Sequence, residues 1–166
     1  MSDDEGTPVV RVGLKRLDPA AMVLEDPVLS RAALVRALGE GARALLSAAA
    51  VRRLASGAKL FDRGDAAGSV YFLAHGEIAV LSGEAASVVP ATQLAPGDVC
   101  GAGAALEGAP RAATVVAASV VDVIEIPVAV LRPLVESSAE LRAVLEEARR
   151  RSEGAAGDLE AFLDRW

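Results

Sequence analysis

Apolar and polar positions divide the chain into a helical, a strand-like and a second helical stretch. Asp18-Pro19 and Asp26-Pro27 each set an N-cap oxygen before a proline at the first helical position, so both predict helix starts. Between Pro27 and Ala50, Leu34, Leu38, Leu45 and Leu46 form an apolar stripe broken at Gly39 and Gly41, which predicts two successive helices. After Val51 the period shortens. Strand formers recur in short runs at Leu54, Lys59–Phe61, Val70–Leu73, Ile78–Leu81, Val88–Leu94, Thr114–Ala118 and Val121–Ile126. Turn residues separate them at Ser56-Gly57, Arg63-Gly64-Asp65, His75-Gly76 and Ser82-Gly83-Glu84. Turns this closely spaced predict an antiparallel sandwich or barrel. Val9–Leu14 has the composition of an edge or covering strand, after a polar, acidic tail over Met1–Thr7.

Past Pro127 the helical period returns. Val130, Leu131, Leu134 and Val135 share a face, with Pro133 as a kink or a first-turn residue. Ser137 with Glu140 has the spacing of a capping box, opening a helix whose Leu141, Val144, Leu145 and Ala148 line up. Arg149-Arg150-Arg151 suits that helix's C-terminal end. Gly154 and Gly157 then predict a break, and Asp158 caps a last short helix carrying Leu159, Phe162, Leu163 and Trp166 on one side.

Composition narrows the function. The 166 residues are 52% hydrophobic and only 3% aromatic, so a folded core must be built from Leu, Val, Ala and Ile. A net charge of −6 argues against a nucleic-acid-binding surface. The single cysteine, Cys100, rules out an internal disulfide and a cysteine-rich metal site. The acidic N-terminus lacks a leader pattern and no apolar run suffices for a membrane helix, so a cytoplasmic location without membrane contact is expected. His75 is the only histidine, with no nucleophile or carboxylate partner in view, and Asp62, Asp65 and Asp98 sit in turns where Asp serves the local backbone. No catalytic constellation or metal set emerges, and the chain reads as a non-enzyme.

Candidate chemistry concentrates in Gly97–Val115, GDVCGAGAALEGAPRAATV. It reads as a strand end, a Gly-rich turn, one helical turn, a second turn at Gly108-Ala109-Pro110, and an Arg at the mouth of a new strand. Gly101 and Gly103 let backbone N–H groups crowd around a small group, and a helical turn starting there adds its positive dipole end. Arg111 supplies a planar fork suited to phosphate. Together these form a candidate anion cradle.

Pro110-Arg111-Ala112-Ala113-Thr114-Val115, with Gly97-Asp98 and Gly101, resembles the phosphate-binding cassette of the cyclic nucleotide-binding domain family. That family includes catabolite-activator-type regulators and protein kinase A regulatory subunits. The resemblance extends over most of the chain, through Phe61–Asp65, Tyr71–Gly76 and Ala95–Asp98 at the turns. It implies a mainly β fold with α, a jelly-roll-like β-barrel flanked by N- and C-terminal helices. The implied division is a lead-in over 1–25, a domain over 26–152 and a short amphipathic helix over 153–166. Within the domain, helices span 27–50, the β-roll 51–126 and C-terminal helices 127–152.

It also implies ligand contacts from Gly101, Ala102, Gly103, Ala104, Ala105, Arg111, Ala112 and Ala113, no cofactor beyond a cAMP-like ligand, and a lid or dimer interface after the β-roll. Ala102 departs from the pattern, because the family places there a Glu that accepts from the ribose 2′-hydroxyl. Losing such an acceptor costs about 1.5–3 kcal/mol. Ala112, small where cGMP-preferring relatives carry Thr, leans toward cAMP. Two readings follow: a sensor of a nucleotide or other anion, or a degenerate domain acting by protein–protein contact or dimerisation. For the second, Leu159, Phe162, Leu163 and Trp166 are the candidate docking face, the alternative being that this helix folds back on its own domain. With no helix-turn-helix in view, DNA binding by the chain itself is not expected.

Overall fold

The computed structural model describes residues 18–81 and 90–164, with side chains of 90–92 and 152–164 left undescribed. The expected Val9–Leu14 strand, the acidic tail and Trp166 lie outside those residues, as do the side chains of Leu159, Phe162 and Leu163.

Three short helices lead in: α1 (Pro19–Leu24), α2 (Ala33–Leu38) and α3 (Ala42–Ser47). Asp18 caps α1 by accepting from the Ala20 N–H at 3.1 Å. Asp26 accepts from Val28 and Leu29, but the turn it opens is a 3-10 segment, Leu29–Arg31, instead of a long helix. Gly39, at φ 56°, ends α2, and a second 3-10 turn, Gly39–Gly41, joins it to α3.

Eight strands follow: β1 (Ala50–Leu54), β2 (Lys59–Phe61), β3 (Ser69–His75), β4 (Ile78–Leu81), β5 (Pro90–Leu94), β6 (Val99–Cys100), β7 (Thr114–Ala117) and β8 (Val121–Pro127). They form two four-stranded antiparallel sheets, ordered β1-β8-β3-β6 and β2-β7-β4-β5. This is the strand order of a double-sheet jelly roll. The sheets stay open at their edges, so the expected barrel is a sandwich-like roll.

One core lies on each side of the first sheet. Val70, Phe72, Ile124 and Ile126 pack with the helices, whereas Tyr71, Leu73, Val121 and Val123 pack against the second sheet through Leu60, Ile78, Val80 and Val115. Alternate residues of β3 and β8 thus face two different apolar environments, which is why β3 reads as a near-continuous hydrophobic run and β8 as one broken only at Asp122 and Glu125.

Helix α4 (Ala102–Glu107) sits between β6 and β7, and α5 (Val128–Ser137) and α6 (Ala139–Asp164) follow β8. Leu131, Leu141 and Leu145 of the expected apolar faces are buried in the helical core, and Val144 and Ala148 pack against it. Pro133 lies inside α5. The cap of α6 is Ser138, whose Oγ accepts from the Leu141 N–H at 3.0 Å, one residue later than the Ser137–Glu140 box. The backbone also stays helical through Gly154 and Gly157, so no separate helix begins at 153. Each glycine weakens a helix by only about 1 kcal/mol relative to Ala.

Candidate anion-binding site

The turn at Arg63-Gly64-Asp65 holds the backbone on which Arg111 rides. The Arg111 N–H donates to the Asp65 carbonyl, the Gly64 N–H to the Arg111 carbonyl, both at 2.8 Å, and the Arg63 N–H to Thr114 Oγ1 at 3.0 Å. Asp65 and Asp98 do what turn aspartates were expected to do, accepting from the Asp62 and Ala95 N–H groups at 2.9 Å.

From this support the Arg111 side chain runs inward and is only 4% exposed. Its Nη1 donates to the Gly101 carbonyl at 2.8 Å and its Nη2 to the Ser69 carbonyl at 2.7 Å. The guanidinium carbon stacks 4.1 Å from the centre of the Phe61 ring and 5.6 Å from that of Tyr71. Nε is buried with no partner among the described residues. Burial pulls the guanidinium pKa below its ordinary value. No carboxylate of the described residues pairs with it; Glu125, the acid of this neighbourhood, takes Ser69 Oγ at 2.9 Å, Tyr71 at 3.4 Å and Arg52 at 3.7 Å. Among the described residues the charge is thus held by carbonyl dipoles and aromatic faces, and Glu125 acts on it only from beyond ion-pair distance.

Gly101, at φ 84°, forms the N-cap of α4 in left-handed backbone, and a Cβ there would run into the Arg111 guanidinium. Beside it opens a cavity of about 260 Å³. Of the residues expected to meet a ligand, Gly101, Ala102, Gly103, Ala104, Arg111, Ala112 and Ala113 all line this cavity. Ala105 does not: it turns under α4 into the helical core.

The rest of the wall was not among the expected ligand contacts: Phe61, Val80, Cys100, Val115, Ala148 and Arg149. Val80 and Val115 fell in runs read as strand formers, but which face of each strand turns inward depends on the register of both sheets. Arg149 pairs with Glu107 of α4 at 2.9 Å and with Glu146 at 3.6 Å, and Arg151 with Asp98 at 3.5 Å, so α6 is drawn across the cassette. Arg132 of α5 donates to the Leu106 and Ala105 carbonyls at 3.1 and 3.4 Å, holding the end of α4. The Cys100 thiol, fully buried, is pushed up to about 12 by burial and stays protonated.

Comparison with known proteins follows the same outline. A family model for the cyclic nucleotide-binding domain matches residues 51–138. No curated protein sequence matches the chain. Among solved structures, a PKAR CBD2 bound to Sp-2Cl-cAMPS is 16% identical with a TM-score of 0.69, covering 86% of this chain and 94% of that one. The regulatory domain of Toxoplasma gondii PKA, co-crystallised with cAMP, is 23% identical with a TM-score of 0.63, covering 84% of this chain and 50% of that one. A candidate cAMP-binding regulatory protein from Silicibacter pomeroyi DSS-3 is 20% identical with a TM-score of 0.60, covering 90% of this chain. This chain spans 65% of the Silicibacter protein's length. At these identities the likeness is one of fold.

Proposed function

The chain belongs to the cyclic nucleotide-binding domain family, and on that premise we propose that it is a non-enzymatic regulatory module that senses an anionic ligand, of nucleotide or related kind, through Arg111 and the Gly101–Ala104 loop. The observation that supports this is the buried Arg111, with which no carboxylate of the described residues pairs and whose Nε has no hydrogen-bond partner among them. Burying an unpaired charge is costly, and an arriving anion supplies the missing counter-charge in a low-dielectric wall where it counts most. Because α6 contributes Ala148 and Arg149 to the same cavity, an anion that draws on Arg149 competes with Glu107 and biases the position of α6. The response is a population shift between two placements of that helix.

Calorimetric titration with cAMP, cGMP and cyclic dinucleotides, beside Arg111→Lys and Ala102→Glu, tests the proposal. Binding by the native chain that falls by at least about tenfold in Arg111→Lys supports it, since Lys keeps the charge but not the fork.

A second reading has its own support. Both fork nitrogens of Arg111 already hold backbone carbonyls, so the side chain also serves as an internal strut between β3 and α4. A module that binds no nucleotide and works by protein contact or dimerisation is favoured if the native chain is silent and Ala102→Glu alone binds.

A further inference from the structure

We infer that the cavity takes a compact organic anion with an apolar body and does not read sugar hydroxyls. The inference rests on Arg111 meeting an anion, and it concerns what the rest of the wall recognises. Among the described residues that line the cavity, every side chain is either cationic or apolar. The cations are Arg111 and Arg149; the walls between them are Phe61, Val80, Ala102 and Val115 with the Cys100 thiol. No carboxylate, amide or hydroxyl side chain is among them.

The two backbone carbonyls that meet the guanidinium are also engaged. The Gly101 carbonyl accepts from Arg111 Nη1 at 2.8 Å and from the Ala105 N–H at 3.4 Å, and the Ser69 carbonyl accepts from Nη2. A thiol is a poor substitute acceptor. A ligand hydroxyl brought against Phe61, Val80 or Val115 therefore finds no side-chain acceptor for its proton, while a CH or ring surface gains. Selective sites work the other way, by placing a few polar groups where the ligand's own polar groups fall. The volume, about 260 Å³, also lies just below the usual range of roughly 300–1,000 Å³ for ligand pockets, which favours a small body.

The test is calorimetric titration of the full chain with inorganic phosphate, phenyl phosphate, cAMP and 2′-deoxy-cAMP, repeated with Arg111→Lys. Phenyl phosphate is expected to bind at least about tenfold tighter than inorganic phosphate. The 2′-deoxy nucleotide is expected to bind as tightly as cAMP, within about threefold, or tighter. Preference for cAMP over its 2′-deoxy form beyond that margin, lost in Arg111→Lys, overturns the inference while leaving the anion-sensor reading intact. Phenyl phosphate no better than inorganic phosphate overturns the apolar body. No binding by any probe, or binding indifferent to Arg111→Lys, overturns both.

Discussion

Gly101→Ala is the sharpest probe of how the site is built, because one methyl group challenges two independent features. The first is backbone: Gly101 sits at φ 84°, ψ 14°, and a left-handed conformation costs a non-glycine residue about 1–2 kcal/mol. The second is the guanidinium, which the new Cβ must displace. A flexible arginine end usually yields cheaply, but this one is buried, stacked on Phe61 and bonded to two carbonyls. Losing the Nη1 bond to the Gly101 carbonyl removes a charged hydrogen bond of about 1.5–3 kcal/mol. Together the expected destabilisation is about 2.5–5 kcal/mol.

The two contributions separate in a double-mutant cycle with Arg111→Met. In that background only the backbone cost of about 1–2 kcal/mol remains, so the coupling between the sites should be about 1.5–3 kcal/mol. Urea unfolding followed by circular dichroism, at unchanged m, reads all four chains. A loss that is the same in both backgrounds would falsify the contact, and a single-variant cost below about 1 kcal/mol would refute the strained turn as well.

Other expectations concern the surroundings. Burial pushes the Cys100 thiol up to about 12, so the unfolded chain, whose thiol ionises near 8.5, gains thiolate first; stability should be intact below about pH 8.5 and decline toward 12. Cys100→Ala should flatten that decline in urea midpoints measured across the alkaline range; an unchanged slope contradicts it. Arg132→Met should cost about 1 kcal/mol and speed amide exchange in α4, because the Leu106 and Ala105 carbonyls lose their donor; unaltered exchange speaks against the link. At Gly76, φ 89°, a Cβ meets the Val120 carbonyl, so Gly76→Ala should cost more than about 3 kcal/mol in the same urea assay, and a near-native midpoint would show that the turn can shift.

Much of the architecture was legible because it is written locally. Turn glycines and the short runs of strand formers at Ile78–Leu81 or Thr114–Ala118 depend on near neighbours, and these strands form. Where local signals were ambiguous, tertiary contacts decided. Ser137 was read as the α6 cap, and Ser138, one residue on, takes the role. Asp26 capped its turn as expected, yet Gly39 and the packing of Leu29 and Leu34 keep the segment in short pieces. The cassette letters brought Arg111, Gly101 and the alanines to one cavity, except Ala105, whose side of α4 faces the core. What no local pattern carries is the stacking of Arg111 on Phe61 or the arrival of Arg149. The first depends on β2 lying beside β7, the second on how α6 docks against α4.

The strand order has a consequence for how the chain comes into being. In each sheet the last strand to be synthesised is inserted between two earlier ones: β7 between β2 and β4, β8 between β1 and β3. Ala50 must wait for Glu125, and Lys59 for Val116, before either early strand has a partner. On a ribosome the first half of the roll therefore emerges with unpaired strand edges, and the loop-closure cost of both pairings falls near the end. Folding is accordingly a late, nearly concerted event, and a chain released before Val121 should lack a cooperative unfolding transition by circular dichroism. A sigmoidal melt from such a fragment would show that the early strands find another order.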